Sequence, residues 1–89
     1  MNFTAYLAEF FGTFLLMISI VATGNAIIIG LTLALVIFLV GGLSGAHVNP
    51  AVSAGMFLNG SLSVSELAMY AIVQIAGAAA AVYVFNALA

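Results

Sequence analysis

The sequence predicts an all-α membrane protein that has three transmembrane helices and one re-entrant half-helix. The 89 residues are 67% hydrophobic and 2% charged, whereas a soluble domain carries about 25% charged residues. Three apolar stretches approach the roughly 20 residues that a membrane-spanning helix needs. A fourth apolar segment is too short to span the membrane. A packed soluble domain could not cover this much apolar surface, so we expect a multi-pass integral membrane protein.

The three spans are predicted at about residues 3–23, 26–41 and 65–88 of a single unit, residues 1–89. The first stretch follows Met1-Asn2 directly and is as long as a span, which favours a membrane helix over a signal peptide. Before the third span, Ser63 and Glu66 fit a capping box, in which each side chain satisfies an amide of the first turn. Glu66 is therefore expected to be structural.

The segment from about 42 to 59 predicts a re-entrant loop followed by a half-helix. It begins with glycine-rich chain and continues with apolar residues, including Val52, Met56 and Phe57. A helix over 50–58 would be about 15 Å long, which is half the hydrocarbon core. Irregular backbone at that depth persists only where it is buried in protein or lines a wet cavity. The loop therefore predicts a pore or a binding site.

The chemistry of this loop centres on Asn49 and Pro50, which is the single proline of the sequence. Proline suits the first position of a helix, and Asn49 before it suits the N-cap. When the Asn49 oxygen accepts a first-turn amide, the free side-chain NH₂ can only donate. Such a donor, at the positive end of a half-helix, would orient a passing water molecule and oppose cations. The carbonyl groups of Gly45, Ala46 and His47 would add acceptors along one wall.

The nine residues Ser44-Gly45-Ala46-His47-Val48-Asn49-Pro50-Ala51-Val52 resemble the signature loop of the aquaporin–glycerol facilitator (major intrinsic protein) family. Two further motifs match in the right order. Ala8-Glu9-Phe10-Phe11-Gly12-Thr13-Phe14 is similar to the first-helix motif of the family, and Gln74 with Gly77-Ala78 is similar to its third-helix motif. The resemblance covers nearly the whole sequence, but only the first half of the family fold.

The resemblance implies one inverted-repeat unit of a fold that has six spans and two half-helices. It also implies a passive channel for water and small neutral solutes such as glycerol, urea or ammonia. With one unit in these residues, we expect the pore to form between two antiparallel copies, and by analogy four such dimers to form an octamer. Lys and Arg, which set membrane orientation, total 0. Their absence fits either a compositional bias of a small chain or its host, or a chain that inserts both ways. The single loop motif favours insertion in both orientations, and we expect the cell membrane as the location.

The resemblance also assigns roles to individual residues. Asn49, Pro50 and Ala51 would form the midplane pore motif, and the carbonyls of Gly45, Ala46 and His47 would line the path. Three side chains would support the loop: Glu9, His47 and Gln74. Two alternatives stay open. Glu9 could instead lie at the membrane interface, and His47 could gate the pore in response to pH.

The selectivity filter is where the sequence departs from the family. The family carries an arginine directly after its second Asn-Pro-Ala, and Val52 occupies the matching position here. The resemblance places the other filter positions near Ile29, Ile37 and Ala46. An apolar filter without a fixed charge would reject cations less strongly and admit small neutral solutes.

A non-conducting structural or regulatory subunit, paired with another half or with a full-length channel, is the alternative function. An enzyme is not expected, because the sequence contains no pairing of a nucleophile with a base, no metal-ligand cluster and no phosphate-binding loop. Accordingly we predict no catalytic residues, no metal and no cofactor. We also expect no nucleic acid as a partner, since the sequence has no Lys or Arg to contact phosphates.

Overall fold

A computed structural model describes residues 2–89, and Met1 lies outside the described residues. The described chain folds into four helices and has no strand. The all-helical fold class predicted from the sequence is therefore confirmed. The helices are α1 (Phe3–Thr23), α2 (Ala26–Ser44), α3 (Pro50–Leu58) and α4 (Val64–Leu88).

Three of these helices are long and apolar enough to cross a membrane: α1, α2 and α4, with 21, 19 and 25 residues. The molecule is 39 Å along its longest axis, which exceeds the hydrocarbon thickness of about 30 Å. By contrast, α3 has 9 residues and a length of about 14 Å at 1.5 Å per residue. It can therefore reach only about half-way through the hydrocarbon layer.

The end of α2 differs from the sequence prediction. The sequence places the end near residue 41, at the pair Gly41-Gly42, but the helix continues to Ser44. It stops at Gly45, whose φ of 86° is left-handed and whose N–H donates to the Gly41 carbonyl. Glycine is favoured at such a C-cap because it has no Cβ to clash. The sequence offers three glycines, and the third one ends the helix.

Helices α1 and α4 cross in close contact, and glycine makes the approach possible. A Cβ atom added to Gly77 would overlap the carbonyl oxygen of Phe10 and lie 3.2 Å from its carbonyl carbon. Ala81, one turn further along α4, is 0% exposed, and Ala8 of α1 is also buried. Small residues at four-residue spacing thus bring the two backbones together, as is typical of membrane helices.

Helix α2 packs along α1 and leaves most of its surface exposed. Phe38 and Ile27 are 85% and 71% exposed. On its inner side, Val36 is buried with Ala46 and Val48 of the loop. The rest of the described chain leaves this apolar face of α2 uncovered, so the face suits contact with lipid or with another protein.

Candidate functional site

The loop between α2 and α3 is held by the carboxylate of Glu9, which is 0% exposed. Glu9 Oε2 accepts hydrogen bonds from the Ser44 hydroxyl at 2.7 Å and from the His47 amide at 2.9 Å. Glu9 Oε1 accepts from the Val48 amide at 2.7 Å and from the Gln74 side chain at 2.8 Å. Four donors therefore surround a group that can only accept, which is how a buried carboxylate becomes tolerable. The carboxylate is thus enclosed by the described chain, as expected of a group that supports the loop.

The loop backbone adopts a conformation that side chains rarely allow. Ala46 and Val48 have φ values of 50° and 46°, in the left-handed region that β-branched residues avoid. The Ala46 amide donates to the Ser44 hydroxyl, and the next two amides donate to Glu9. Three successive N–H groups thus converge on anchored oxygen atoms, as in an anion-binding nest. These bonds offset the backbone strain.

A second chain of hydrogen bonds links the loop to α3 and α4. Gln74 Nε2 donates to Glu9 and also to the Ser53 hydroxyl at 2.9 Å. Ser53 Oγ lies 2.9 Å from His47 Nδ1, and the His47 ring packs at 5.0 Å from the ring of Tyr70. Glu9, Gln74, Ser53 and His47 are all buried. His47 and Gln74, which the resemblance makes loop supports, therefore lie in one network with Glu9.

Asn49 and Pro50 form the N-terminal tip of α3. Asn49 has extended backbone, and its Oδ1 accepts from the Ala51 amide at 2.8 Å, while Pro50 occupies the first turn. This bond fixes the side-chain orientation, so the NH₂ group faces away from the helix. Residues 49–52, here called the α3 tip, are all exposed. Neither the Asn49 NH₂ group nor the Val52 amide donates a hydrogen bond within residues 2–89.

The loop carbonyl groups also remain available. In the described chain the carbonyl oxygens of Gly45, Ala46 and His47 accept no hydrogen bond, in contrast to Ser44, whose carbonyl accepts from the Tyr70 hydroxyl at 2.8 Å. Unpaired carbonyls at membrane depth need donors from water or from another protein. Their assignment to an acceptor wall of a pore stays a prediction.

The residues predicted for the filter are not brought together within the described chain. Ile37 and Val52 are 50% and 44% exposed, and Ile29 is half-buried. Ala46 is buried against Val36 and Val48, so its methyl group serves packing and only its backbone could contact a solute. Their assignment to a filter stays a prediction, because the surface opposite them would have to come from another unit.

Sequence reasoning missed three polar residues of the site: Ser44, Ser53 and Tyr70. Tyr70 precedes Gln74 by one helical turn, so the 3.6-residue period places both on one face of α4. That signal was available in the sequence. The Ser53 hydroxyl contacts the ring of His47, which lies in the irregular loop. No periodic sequence pattern predicts such a contact.

A cleft of about 220 Å³ opens beside the α3 tip, between α1 and α4; we call it the tip cleft. Its lining is mostly apolar but includes the side chains of Thr13 and Gln74. Asn49 and Pro50 of the α3 tip form its edge. Unpaired donors and an open apolar cleft therefore lie side by side.

Comparison with known proteins decides the family. The profile of the major intrinsic protein family matches residues 1–89. The chain belongs to the major intrinsic protein family. The resemblance noted from the signature loop is thereby confirmed. Family membership and three helices of spanning length together make the chain an integral membrane protein.

The chain is similar in sequence to several members of the major intrinsic protein family. The chain is 40% identical over 82 residues to a glycerol uptake facilitator protein-like 6 of Lactiplantibacillus plantarum, a match covering 82% of this chain and 38% of that protein. It is 37% identical to an aquaporin Z of Brucella melitensis, covering 92% and 42%, and 34% identical to an aquaporin Z of Rhodopseudomonas palustris, covering 91% and 40%. The chain thus spans about two-fifths of the length of these relatives. No solved structure matches it significantly.

Proposed function

We propose that this protein is a passive channel for water and small neutral solutes, with its pore between two antiparallel copies. The observation that carries the proposal is the α3 tip: a capped half-helix that presents an unused side-chain NH₂ group. A donor at the positive end of a helix orients water through its oxygen and opposes cations. The named relatives, a glycerol uptake facilitator-like protein and two aquaporins Z, favour water or glycerol as the solute.

Two features favour pairing with an inverted copy. The described chain has one α3 tip, and the tip cleft and loop carbonyls beside it lack a covering surface. With Lys plus Arg equal to 0, the positive-inside rule sets no preferred orientation. Insertion of copies in both directions would then be possible in the cell membrane. Four such dimers, arranged as an octamer, are the assembly that we propose by analogy with the family.

The primary experiment is osmotic flux through purified protein in proteoliposomes. Stopped-flow light scattering is expected to give water permeability, and glycerol permeability, above that of empty vesicles. The orientation of the chain is measured in the same vesicles with tags at both termini. Assembled protein that shows no flux would reject the channel and favour the non-conducting subunit. A single orientation would reject the antiparallel pair.

Substituting the filter position tests the solute range. We expect Val52→Arg to lower glycerol flux and cation leak towards those of empty vesicles while water flux persists. A guanidinium at the mouth adds bulk, donors and a fixed positive charge. Val52→Met is the matched control, because it lengthens the side chain without charge. Equal glycerol flux in assembled Val52→Arg and in the unsubstituted protein would show that residue 52 does not face the solute.

A further inference from the structure

A second cavity, of about 300 Å³, opens at the end of the bundle where α1 begins; we call it the end cavity. It lies between the start of α1, the last turn of α2 and the first two turns of α4, and it shares no lining residue with the tip cleft. Since α1 and α4 begin there and α2 ends there, this end of the bundle faces a membrane surface when the long helices span the bilayer. Its volume is at the lower end of the range for small-molecule sites, about 300–1,000 Å³.

The end cavity is lined by a buried hydroxyl group that the described chain does not satisfy. Tyr6 is 7% exposed, and its hydroxyl has no hydrogen-bond partner among residues 2–89. The Tyr6 ring packs edge to face against Tyr70 at 5.9 Å, and both tyrosines line the cavity. The Tyr70 hydroxyl, by contrast, donates to the Ser44 carbonyl at 2.8 Å. Buried polar groups are paired in the great majority of native structures, so the Tyr6 hydroxyl points to a ligand that pairs with it.

A carboxylate on the wall of the end cavity lacks a basic partner. Glu66 lines the cavity and accepts the Ser63 amide through Oε1, while its Oε2 accepts no hydrogen bond within the described chain. Lys and Arg total 0 in the sequence, so neither residue type can neutralise this carboxylate. The carbonyl of Gly45, which accepts no hydrogen bond from residues 2–89, belongs to the same lining. The cavity therefore offers oxygen acceptors together with a negative charge.

The remaining walls of the end cavity decide which kind of cation suits it. Mg²⁺ and Ca²⁺ take six or more oxygen ligands, and no group of three or more His, Cys, Asp or Glu residues within the described chain could hold a metal ion. The walls are instead partly aromatic and aliphatic, with Tyr70, Leu43 and Met56 among them. Aromatic rings attract organic ammonium cations, and aliphatic walls suit their carbon atoms. A quaternary ammonium has no N–H group for the Tyr6 oxygen or the Gly45 carbonyl.

We infer that the end cavity binds a primary ammonium group, as carried by free ethanolamine or by the ethanolamine headgroup of a lipid. The three N–H donors of such a group match three acceptors of the lining: Glu66 Oε2, the Tyr6 hydroxyl and the Gly45 carbonyl. The attached carbon atoms pack against the aromatic and aliphatic walls. Because the cavity lies at the membrane surface, both sources of the ammonium group can reach it.

Nuclear magnetic resonance of ring-labelled tyrosines tests the site directly, since the sequence has 3 tyrosines and two of them line the end cavity. The protein is placed in phosphatidylcholine nanodiscs at neutral pH, with an N-terminal tag so that Met1 has no free amino group. Ethanolamine is compared with ethylene glycol, a neutral molecule of almost the same shape. We expect shifts at Tyr6 and Tyr70 and about tenfold tighter binding of ethanolamine. Tyr83, which is 77% exposed, should not respond. Equal affinity for the two molecules would overturn the inference.

Tyr6→Phe tests the hydroxyl group. We expect about fivefold weaker binding of ethanolamine, read from Tyr70, because one charge-assisted hydrogen bond is lost. Without ethanolamine the variant should be at least as stable as the unsubstituted protein, since the hydroxyl has no partner in the described chain to lose. Tyr83→Phe is the matched control and should bind ethanolamine normally. A Tyr6→Phe protein that is less stable but binds ethanolamine with full affinity would show that the hydroxyl serves the fold and not the ligand.

Glu66→Gln tests the charge. The glutamine retains an oxygen for the Ser63 amide but removes the negative charge from the end cavity. We expect the affinity for ethanolamine to fall to about that for ethylene glycol. A variant that still prefers ethanolamine about tenfold would contradict the role of Glu66.

Lipid composition distinguishes the two sources of the ammonium group. If the headgroup of phosphatidylethanolamine enters the end cavity, adding this lipid to the nanodiscs will shift Tyr6 and Tyr70 without any free amine and will raise the apparent Kd of ethanolamine several-fold. Unchanged shifts and an unchanged Kd would identify the free amine as the ligand. Tyrosines that respond to neither source would overturn the inference. None of these measurements involves flux, so the inference and the proposed channel can fail independently.

Discussion

Glu9→Gln is expected to abolish osmotic flux by releasing the loop. The carboxylate accepts four hydrogen bonds in a fully buried position. An amide would direct its own N–H groups at one or two of those donors and leave them unsatisfied. The loss in the free energy of unfolding should be roughly 3 kcal/mol or more. Without these bonds, nothing offsets the strain of the left-handed backbone at Ala46 and Val48. The loop would then relax, and the α3 tip would no longer be held in position.

Glu66→Gln is the matched control for Glu9→Gln. Glu66 is the other acidic residue of the sequence, and its Oε1 caps α4 by accepting from the Ser63 amide at 2.8 Å. Gln can also accept in a capping box, so flux should be retained. Flux and resistance to SDS unfolding are measured for both variants in the same lipid. Equal behaviour of the two would show that Glu9 does not hold the loop.

Gly77→Ala is expected to destabilise the fold through a single methyl group. The new Cβ would overlap the carbonyl oxygen of Phe10, so α1 and α4 must separate along their whole contact. Overpacking of this kind costs about 1–3 kcal/mol, and the upper end applies because the obstacle is backbone and cannot rotate away. Displacement of α4 would also move Gln74 from Glu9. We therefore expect less folded protein and weaker flux per assembled molecule.

Gly30→Ala serves as the control, because a Cβ at Gly30 meets nothing within 4 Å. Alanine is favoured over glycine in a helix by about 1 kcal/mol, so this variant should be as stable as the unsubstituted protein or more so. SDS unfolding in lipid–detergent micelles measures both changes. A Gly77→Ala protein as stable as the Gly30→Ala protein would show that the helices are not in close contact.

The fold was largely predictable because its signals are local. Apolar length identified the three long helices, and Ser63 with Glu66 identified the start of α4, where the structure has the capping box. Pro50 after Asn49 likewise gave the start of α3. The end of α2 was predicted less well, since Gly41, Gly42 and Gly45 all qualify as a C-cap and packing selects among them.

The site was predictable only where a family motif drew attention to a residue. Glu9 and Gln74 were singled out in this way, and the structure brings them together 65 positions apart in sequence. No local sequence pattern predicts the contact of Ser53 with His47 or, in the described chain, the unpaired hydroxyl of Thr13. Both depend on how the helices pack against one another. The filter could not be tested for a further reason. Within the described chain, no protein surface lies opposite Ile29, Ile37 and Val52.

The largely exposed surface of α2 has a consequence for how the proposed channel could evolve. The loop is secured by α1 and α4 through Glu9 and Gln74, whereas Ile29 and Ile37 stand on a helix whose outer face is largely free. Substitutions at these two positions should therefore carry little stability cost. In the proposed channel, the residues assigned to the filter could therefore change among descendants while the hydrogen-bond network that positions Asn49 stays unaltered.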